Sequence, residues 1–239
     1  MALAQQYAQR GATLGLVARR SEKLGALAAA LPTTCHLYPL DVADAAAIAA
    51  AGQDFIQRAG IPDIVIANAG ISVGTLSEAA EDLPAFRRVF ETNVLGMVHT
   101  FQPFLAAMRQ AGAGRLVGIA SVAGIRGLPG AGAYCASKAA AIAYLESLRV
   151  ELRGSGIQVV TLAPGYIATP MTERNPYPMP FLMPVADAAR SMVRHIEHGS
   201  RFAVMPWPMG IVASLLKYLP RTIFDAAFAH AGRKPRGLP

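Results

Sequence analysis

Three side chains that suit proton transfer to a carbonyl or alcohol oxygen stand close together in the sequence: Ser121, Tyr134 and Lys138. Tyr134 and Lys138 are one helical turn apart, so on a helix the phenol and the ammonium group lie on the same face. An ammonium group about 5 Å from a phenolate stabilises it by roughly 3 kcal/mol at an effective dielectric constant of ~20, or ~2 pKa units. The spacing therefore predicts a phenol whose pKa is lowered toward the range where it exchanges protons at neutral pH.

The segments around these residues predict how they are brought together. Residues 115–120 are apolar, as in a buried strand, and Ser121 follows the end of that strand. A Gly- and Pro-rich connection then leads to an Ala-rich helix, predicted over 133–153, that opens with Tyr134 and Lys138. Open α/β sheets bind ligands at the carboxyl ends of their strands, where Ser121 stands. The Tyr-x-x-x-Lys pattern also occurs by chance on many helices, so the alternative is an ordinary structural pair.

Strands and helices alternate along the rest of the chain. This alternation predicts an α/β fold, a doubly wound, Rossmann-like parallel sheet with helices on both faces in three layers. We expect a single dinucleotide-binding and catalytic domain over residues 1–239, with 206–239 as a C-terminal helical extension. Strands are predicted at 12–18, 35–40, 61–67, 115–120, 157–162 and 202–205, and helices at 1–10, 21–31, 43–58, 84–108, 133–153 and 185–197, with two more over 209–231.

The composition narrows the class of protein. The chain has 239 residues, 53% of them hydrophobic, which is enough for a sizeable core. It contains no run of ~18 uncharged apolar residues, the length that a membrane-spanning helix needs. Cys35 and Cys135 show neither a metal-ligand spacing nor a disulfide framework, and the five histidines show no metal-ligand set. We therefore expect no metal and a reducing, cytoplasmic setting. The net charge of +7 suits phosphate-bearing ligands or an acidic membrane surface, and we expect no nucleic-acid partner.

Two arginines stand where a dinucleotide cofactor would be selected. Arg19 and Arg20 follow the strand predicted at 12–18, the position that approaches the adenosine ribose in a doubly wound sheet. A carboxylate there would accept the ribose hydroxyls and select NAD, whereas guanidinium groups pair with a 2′-phosphate. The sequence thus favours NADP(H), with NAD(H) as the alternative. Of the two arginines, Arg20 is the better candidate for an ordinary solvated residue.

Further motifs complete a pattern that extends to about Met205: Asn68-Ala69-Gly70, Asn93, Ser121, Tyr134, Lys138 and Pro164-Gly165, in this order. The pattern resembles that of the short-chain dehydrogenase/reductase family. The resemblance implies hydride transfer between nicotinamide and a carbonyl carbon, with Ser121 holding the carbonyl oxygen and Tyr134 as acid and base. It also implies that Lys138 lowers the Tyr134 pKa and holds the nicotinamide ribose, and that Asn93 anchors a water that supplies protons through Lys138. From its place in an apolar helix stripe alone, Asn93 is better explained as a buried amide that bonds a neighbouring carbonyl.

The same resemblance assigns cofactor contacts to residues at the ends of the strands. Asp41-Val42 is similar to the pair that contacts the adenine ring, and Asn68-Ala69-Gly70 to the motif that shapes the pocket wall beside the adenosine. The segment that packs on and bonds the nicotinamide amide is represented by Pro164, Gly165, Ile167 and Thr169.

One feature of the family is not in the sequence. Family members begin with a strand and a Thr-Gly-x-x-x-Gly-x-Gly turn, whereas Met1-Ala-Leu-Ala resembles the helix that follows that turn. The missing strand would lie between the strands that end at Arg19 and Asn68. We therefore expect the natural protein to start roughly a dozen or more residues earlier, because the turn and helix N-terminus form the phosphate-binding cradle.

The substrate and the partners are less clearly indicated. Residues 170–184 are predicted to be a substrate lid, and their Met and aromatic side chains suit a hydrophobic ketone or secondary alcohol. The same side chains would also serve simply to pack the lid on the body. A homodimer or homotetramer is implied by the resemblance, through the helices at 84–108 and 133–153. The basic tail favours packing against the substrate side or a partner subunit over membrane-surface contact, because Pro206, Pro208 and Pro220 interrupt it. A dinucleotide-fold protein that has lost catalysis and serves as a scaffold is the alternative to an enzyme.

Overall fold

The computed structural model describes residues 1–237, and they form the predicted doubly wound α/β architecture. Every strand pair is parallel, and the connections between neighbouring strands run through helices. The elements in chain order are α1 (Ala2–Ala8), β1 (Leu14–Ala18), α2 (Ser21–Ala29), β2 (Cys35–Pro39), α3 (Ala45–Ala59), β3 (Ile64–Ala67), α4 (Leu83–Phe90), α5 (Gly96–Ala111), β4 (Gly114–Ile119), α6 (Gly132–Glu151), β5 (Ile157–Pro164), α7 (Pro170–Glu173), α8 (Val185–His198), β6 (Phe202–Met205), α9 (Trp207–Tyr218) and α10 (Arg221–Phe228).

The sheet is divided into two parts at the place where the sequence predicts a missing strand. Strands β1 and β2 pair with each other, and β3, β4, β5 and β6 form a four-stranded sheet in that order. Within residues 1–237 β1 pairs only with β2, and β3 only with β4, so each of the two has an edge with unpaired backbone groups. The carboxyl ends of β4 and β5 meet, because their register pairs Ile119 with Leu162.

Buried side chains on both faces of the four-stranded sheet hold the layers together. On one face Phe101 of α5 and Leu145 of α6 are fully buried against strand residues. On the other face Ile196 of α8 and Met205 are fully buried in a cluster that includes Tyr7 of α1 at its margin. Each of these large side chains stabilises the fold by roughly 2–3 kcal/mol through its removal from water. The result is the predicted three-layer arrangement of helices, sheet and helices.

The long helix predicted over 84–108 is interrupted. It consists of α4 and α5 joined by a π-helical turn, Glu91–Leu95, which contains the predicted catalytic residue Asn93. Such π turns are uncommon and are often found at functional sites. The apolar periodicity of the segment continues across the turn, which explains why the sequence alone predicted one helix.

The C-terminal extension consists of α9, α10 and a segment that returns to the body of the protein. Arg126 fixes the two helices, since its Nη1 donates to the carbonyls of Leu216 and Leu219 at 3.1 and 3.0 Å. Its guanidinium carbon also lies 4.1 Å from the centroid of the Phe224 ring. Helix α9 turns several large apolar side chains to solvent: Trp207, Ile211, Leu215 and Tyr218. None of the helices described is both long enough and apolar enough to cross a membrane.

Gly124 allows the turn after β4 to pack directly against α6. A Cβ atom on Gly124 would lie 2.7 Å from the carbonyl carbon of Lys138 and 2.9 Å from the backbone nitrogen of Ala139. Those are backbone atoms in the middle of a helix and cannot move aside individually. Gly127, in the same connection, has no atom within 4 Å of the equivalent position.

Gly124→Ala should therefore lower the free energy of unfolding by about 1–3 kcal/mol, the usual cost of overpacking. Gly127→Ala is the matched control and should be neutral or stabilise by up to about 1 kcal/mol through reduced chain entropy. Urea denaturation of both variants measures the difference. Equal stabilities of the two variants would contradict the close contact.

Candidate active site

Ser121 lies at the carboxyl end of β4, where its side chain is bonded to the turn that follows β4 and to the end of β5. Its Oγ accepts a hydrogen bond from the backbone N–H of Ala123 at 3.2 Å and donates to the carbonyl of Pro164 at 3.4 Å. The first contact caps the short turn that follows β4, and the second joins the ends of β4 and β5. Ser121 is buried. The hydroxyl is thus fixed at the sheet edge where parallel α/β folds bind ligands.

Helix α6 brings Tyr134 and Lys138 to the same edge, on one helix face as their spacing predicts. The Lys138 Nζ lies 5.9 Å from the centroid of the Tyr134 ring and donates to the carbonyl of Ile119, the last residue of β4, at 2.8 Å. Lys138 is only 5% exposed. The ammonium group therefore ties the helix to the same strand end that carries Ser121.

Burial dominates the proton affinities of the pair. Burial raises the pKa of Tyr134, while a hydrogen bond with the Ser121 side chain acts in the opposite direction. Burial also lowers the pKa of Lys138 to about 8. The sequence-based prediction that the Tyr134 pKa would be lowered is thus wrong for the protein by itself. The reason is that the lysine charge is itself destabilised by burial and is directed at the Ile119 carbonyl.

Asn93 uses its whole carboxamide to join two parts of the site. Its Oδ1 accepts from the N–H of Ile71 at 2.8 Å, and its Nδ2 donates to the Ile71 carbonyl and to Ser137 Oγ, both at 3.0 Å. Ser137 in turn donates to the Tyr134 carbonyl at 2.8 Å. The bond to a neighbouring carbonyl, which the sequence offered as the structural explanation of Asn93, is present in the fold. The water-anchoring role that the resemblance implies stays a prediction.

The residues predicted to contact adenosine gather around Asp41. Its Oδ2 is bonded by Arg88 and lies 3.9 Å from Arg19 Nη1, while its Oδ1 accepts from the N–H of Ala43 at 3.0 Å. Burial would raise the pKa of Asp41, but the Ala43 N–H and the two arginines together lower it. Arg19 is 62% exposed, so its guanidinium remains available to a ligand. Arg20 precedes α2, is exposed, and makes no side-chain hydrogen bond in the described part of the chain.

The motif after β3 borders the catalytic residues. Asn68 and Ala69 are exposed, whereas Gly70 lies against the site. A Cβ atom on Gly70 would come within 3.3 Å of Asn93 Oδ1 and 3.5 Å of Lys138 Nζ. The absence of a side chain at Gly70 therefore lets the backbone after β3 approach these two side chains closely.

The remaining predicted cofactor contacts follow β5 and form a braced loop. The N–H of Gly165 donates to the carbonyl of Met205 at 2.8 Å, and Ile167 pairs with Met183 near the end of the segment predicted to be a lid. Thr169 caps α7, so the segment 170–184 starts from a fixed point. Val42, on the other side of the site, has its carbonyl 3.0 Å from His99 Nδ1 and its side chain close to Gly96.

Sequence reasoning missed three residues of this region. Ser137 is fully buried between Asn93 and Tyr134, and Arg88 holds Asp41. Lys234, from the C-terminal segment, places its Nζ 5.5 Å from the Tyr134 ring centroid. The first two lie in helices whose apolar pattern hides single polar contacts. The sequence predicted that the basic tail packs against the substrate side or a partner subunit, but nothing in its pattern singled out Lys234.

Comparison with known proteins gives a consistent result. A family model described as short chain dehydrogenase matches residues 1–178. An uncharacterized oxidoreductase of Myxococcus xanthus is 38% identical over 228 residues, which cover 94% of this chain and 90% of the relative. The 2-dehydro-3-deoxy-L-rhamnonate dehydrogenase (NAD(+)) of a Sphingomonas strain is 36% identical over 178 residues, 73% of this chain and 71% of the relative.

Solved structures share the fold. A short-chain dehydrogenase from Streptomyces avermitilis superimposes with a TM-score of 0.74 at 25% identity, over 95% of this chain and 94% of the other. The gluconate 5-dehydrogenase of Burkholderia cenocepacia, in complex with NADP and tartrate, gives a TM-score of 0.74 at 24% identity, over 85% and 88% of the two chains.

The lowered pKa of Lys138 predicts a pH-dependent stability. Between pH 8 and 10.5 the unfolded chain, with an ordinary lysine pKa of 10.5, binds a proton that the folded protein does not, so stability rises with pH. The free energy of unfolding of the wild type should rise, relative to that of Lys138→Met, by roughly 2–3 kcal/mol between pH 7 and pH 10.

Urea denaturation across this pH range measures the effect. Lys23→Met, which removes an exposed lysine of α2, is the control and should give a curve parallel to that of the wild type. A Lys138→Met curve that is also parallel would show that burial does not weaken the Lys138 charge.

Proposed function

We propose, because the chain belongs to the short-chain dehydrogenase family, that it is an NADP(H)-preferring oxidoreductase that interconverts a hydrophobic ketone and a secondary alcohol. The observation that carries the proposal is the convergence of Ser121, Tyr134 and Lys138. Ser121 follows β4, the other two belong to α6, and Lys138 is bonded to the last residue of that same strand. A hydroxyl, a phenol and a cation at one sheet edge suit proton transfer to a substrate oxygen.

The direction of the pKa shifts suits the reductive reaction. With its pKa raised by burial, the Tyr134 phenol keeps its proton at neutral pH and can donate it to a carbonyl oxygen that accepts charge. Ser121 would hold that oxygen, because its hydroxyl is near the phenol and is oriented by the Ala123 N–H. Lys138, with a pKa of about 8, can give up and regain a proton near neutral pH and so restore the proton of Tyr134.

The residues around the site fit a dinucleotide. Gly70, which lies close to Asn93 and Lys138, and the available guanidinium of Arg19 lie at the carboxyl ends of β3 and β1, where doubly wound sheets bind such ligands. Lys138 would hold the nicotinamide ribose, and Pro164, Gly165, Ile167 and Thr169 would border the nicotinamide. When bound, the nicotinamide supplies the hydride that the carbonyl carbon of the substrate accepts.

Preference for NADP(H) over NAD(H) rests on charge. Arg19 and Arg88 face Asp41 from two sides, so its carboxylate is already paired and is poorly suited to accept ribose hydroxyls. Arg88 also pairs with Glu91 at 3.8 Å, so Arg19, whose contact with Asp41 is a long one of 3.9 Å, is the cation that we expect to bind a 2′-phosphate. The Burkholderia structure holds NADP, whereas the name of the Sphingomonas relative specifies NAD(+).

The substrate pocket would be closed by the lid over 170–184. Tyr177 of the lid lies 6.5 Å, ring to ring, from Tyr166 after β5, and the Ile167–Met183 pairing holds the end of the lid. These apolar and aromatic groups support a hydrophobic body for the substrate.

The proposal also includes a cellular location and an oligomeric state. Cys35 and Cys135 are both free thiols, in keeping with a cytoplasmic location. Self-association into a homodimer or homotetramer would use the α4–α5 segment and α6, and light scattering would then give a multiple of the 25.1 kDa chain mass.

Tyr134→Phe removes the proton donor and should lower kcat for NADPH-dependent reduction of ketones by about 10²–10⁴-fold. NADPH affinity should change little, because the aromatic ring remains. Tyr144→Phe, on the same helix but packed in the core, is the control and should retain activity. Stopped-flow measurement of NADPH oxidation with a panel of aliphatic and aromatic ketones provides the rates.

Two results would contradict this proposal. Undiminished turnover by Tyr134→Phe would remove the acid–base role of Tyr134. A wild-type protein that binds NADPH but reduces no ketone would instead favour the scaffold alternative.

Arg19→Gln should raise the Kd for NADPH by about 10–100-fold and leave the Kd for NADH nearly unchanged, because it removes a charge-assisted contact with the 2′-phosphate only. Arg20→Gln is the matched control and should alter neither constant. Fluorescence titration with both cofactors measures the four values. Equal losses for NADPH and NADH would argue against phosphate selection by Arg19.

A further inference from the structure

The C-terminal strap, residues 231–237, carries a second ammonium group to the catalytic tyrosine. The Nζ of Lys234 lies 5.5 Å from the centroid of the Tyr134 ring, and the Nζ of Lys138 lies 5.9 Å from the same centroid. Lys138 is bonded to the end of β4 and, in the proposed function, holds the ribose of the cofactor. Lys234 approaches from the strap, which also contacts the lid, since Gly232 packs on Tyr177. Lys234 therefore lies on the substrate side.

The strap is held in place on both sides of Lys234. The carbonyl of Pro235 accepts a hydrogen bond from the N–H of Gly74 at 2.8 Å, and Gly74 is so close to the strap that a Cβ there would lie 2.1 Å from the Lys234 carbonyl oxygen. Arg236 donates through Nε to Asp82 Oδ2 and through Nη2 to Glu81 Oε1, both at 2.8 Å. Asp82 is buried and also accepts from the N–H of Leu76 at 2.8 Å.

The charge of Lys234 is not neutralised within the described residues. Between Met1 and Gly237 no carboxylate lies within 4.0 Å of its ammonium group. The two carboxylates that contact the strap, those of Glu81 and Asp82, both pair with Arg236 instead. Its surroundings are the Tyr134 ring and the thiol of Cys135, and burial among them lowers the pKa of Lys234. A partly buried cation that is positioned rigidly and lacks a counter-ion is unfavourable until an anion joins it.

We propose that Lys234 binds an anionic group of the substrate, so that the substrate is an oxo acid or hydroxy acid with an apolar chain. This inference rests on the proposed function and adds a charge requirement to it. The carbonyl oxygen would lie at Ser121 and Tyr134 while the carboxylate pairs with Lys234. Because both positions adjoin one tyrosine ring, the carboxylate and the carbonyl are close together in the substrate, as in a 2-oxo or 3-oxo acid.

The kinetic test compares a charged and a neutral substrate of the same shape. Lys234→Met should lower kcat/KM for 2-oxooctanoate by about 10–100-fold, mainly through KM, as expected for loss of a charge-assisted hydrogen bond. For methyl 2-oxooctanoate, which lacks the charge, the loss should stay within about threefold. Lys234→Arg should keep the preference for the acid. Arg233→Met, which removes the exposed neighbouring cation, is the matched control and should affect neither substrate.

Equal losses on the acid and the ester would overturn the proposal, because Lys234 would then act on Tyr134 itself rather than on a substrate anion. No loss on either substrate would overturn it as well.

A binding measurement separates this proposal from the proposed function. If the wild type reduces neither substrate, the proposed function fails, while calorimetric titration with octanoate and octan-1-ol still tests Lys234. The wild type should bind octanoate at least about tenfold more tightly than the alcohol, and Lys234→Met should lose that preference. Absence of octanoate binding, or a preference that survives in Lys234→Met, would contradict an anion site at Lys234.

Discussion

The buried carboxamide of Asn93 is the contact on which the arrangement of the site depends. It bonds both backbone groups of Ile71, just beyond β3, and also Ser137 of α6, so it links a strand extension to the catalytic helix. A buried amide that loses such partners costs roughly 1–3 kcal/mol for each unsatisfied group. The π-helical turn that contains Asn93 widens the helix at this point and directs the carboxamide inward. Ser137 then passes the restraint to the Tyr134 carbonyl, one turn before Lys138.

Burial of two titratable side chains gives the site its chemical character. In water a phenol and an ammonium group both keep their protons at neutral pH, and neither exchanges them readily. In the protein, the Lys138 ammonium is anchored by a single carbonyl and has a lowered pKa, whereas the Tyr134 phenol has a raised pKa. The two shifts move the proton affinities of the groups apart from nearly equal ordinary values, so Tyr134 holds its proton more firmly than Lys138, and a proton passes favourably from Lys138 to an ionised Tyr134. Desolvation, more than attraction between the two groups, thus tunes the pair.

Much of this organisation could be predicted from the sequence because it rests on local patterns. The alternation of apolar strands and helices predicted the α/β fold, and every predicted strand is present with boundaries shifted by a few residues. The one-turn spacing of Tyr134 and Lys138, and Ser121 at a strand end, predicted the convergence at one edge. The division of the sheet between β1 and β3 also appears where a missing strand was expected.

What the sequence did not predict depends on contacts between distant residues. The π turn in the helix predicted over 84–108 leaves the apolar periodicity intact, so nothing in the pattern reveals it. The sign of the Tyr134 pKa shift depends on burial by surrounding segments, which spacing along one helix does not describe. The position of Lys234 depends on the two hydrogen bonds that Arg236 donates to Asp82 and Glu81, which are 154 and 155 residues away in the sequence.

That separation bears on how the protein reaches its working state. The strap contacts segments near residues 74, 82 and 130, and Arg236 is 154 residues from its partner Asp82. Such contacts close long loops and can form only when most of the chain is available. During synthesis the sheet, helix α6 and residues 170–184 all emerge from the ribosome before the strap. The contacts of the strap with Gly74, Asp82 and the Tyr134 ring are therefore added by the last residues described, and a chain interrupted shortly before them would lack all three.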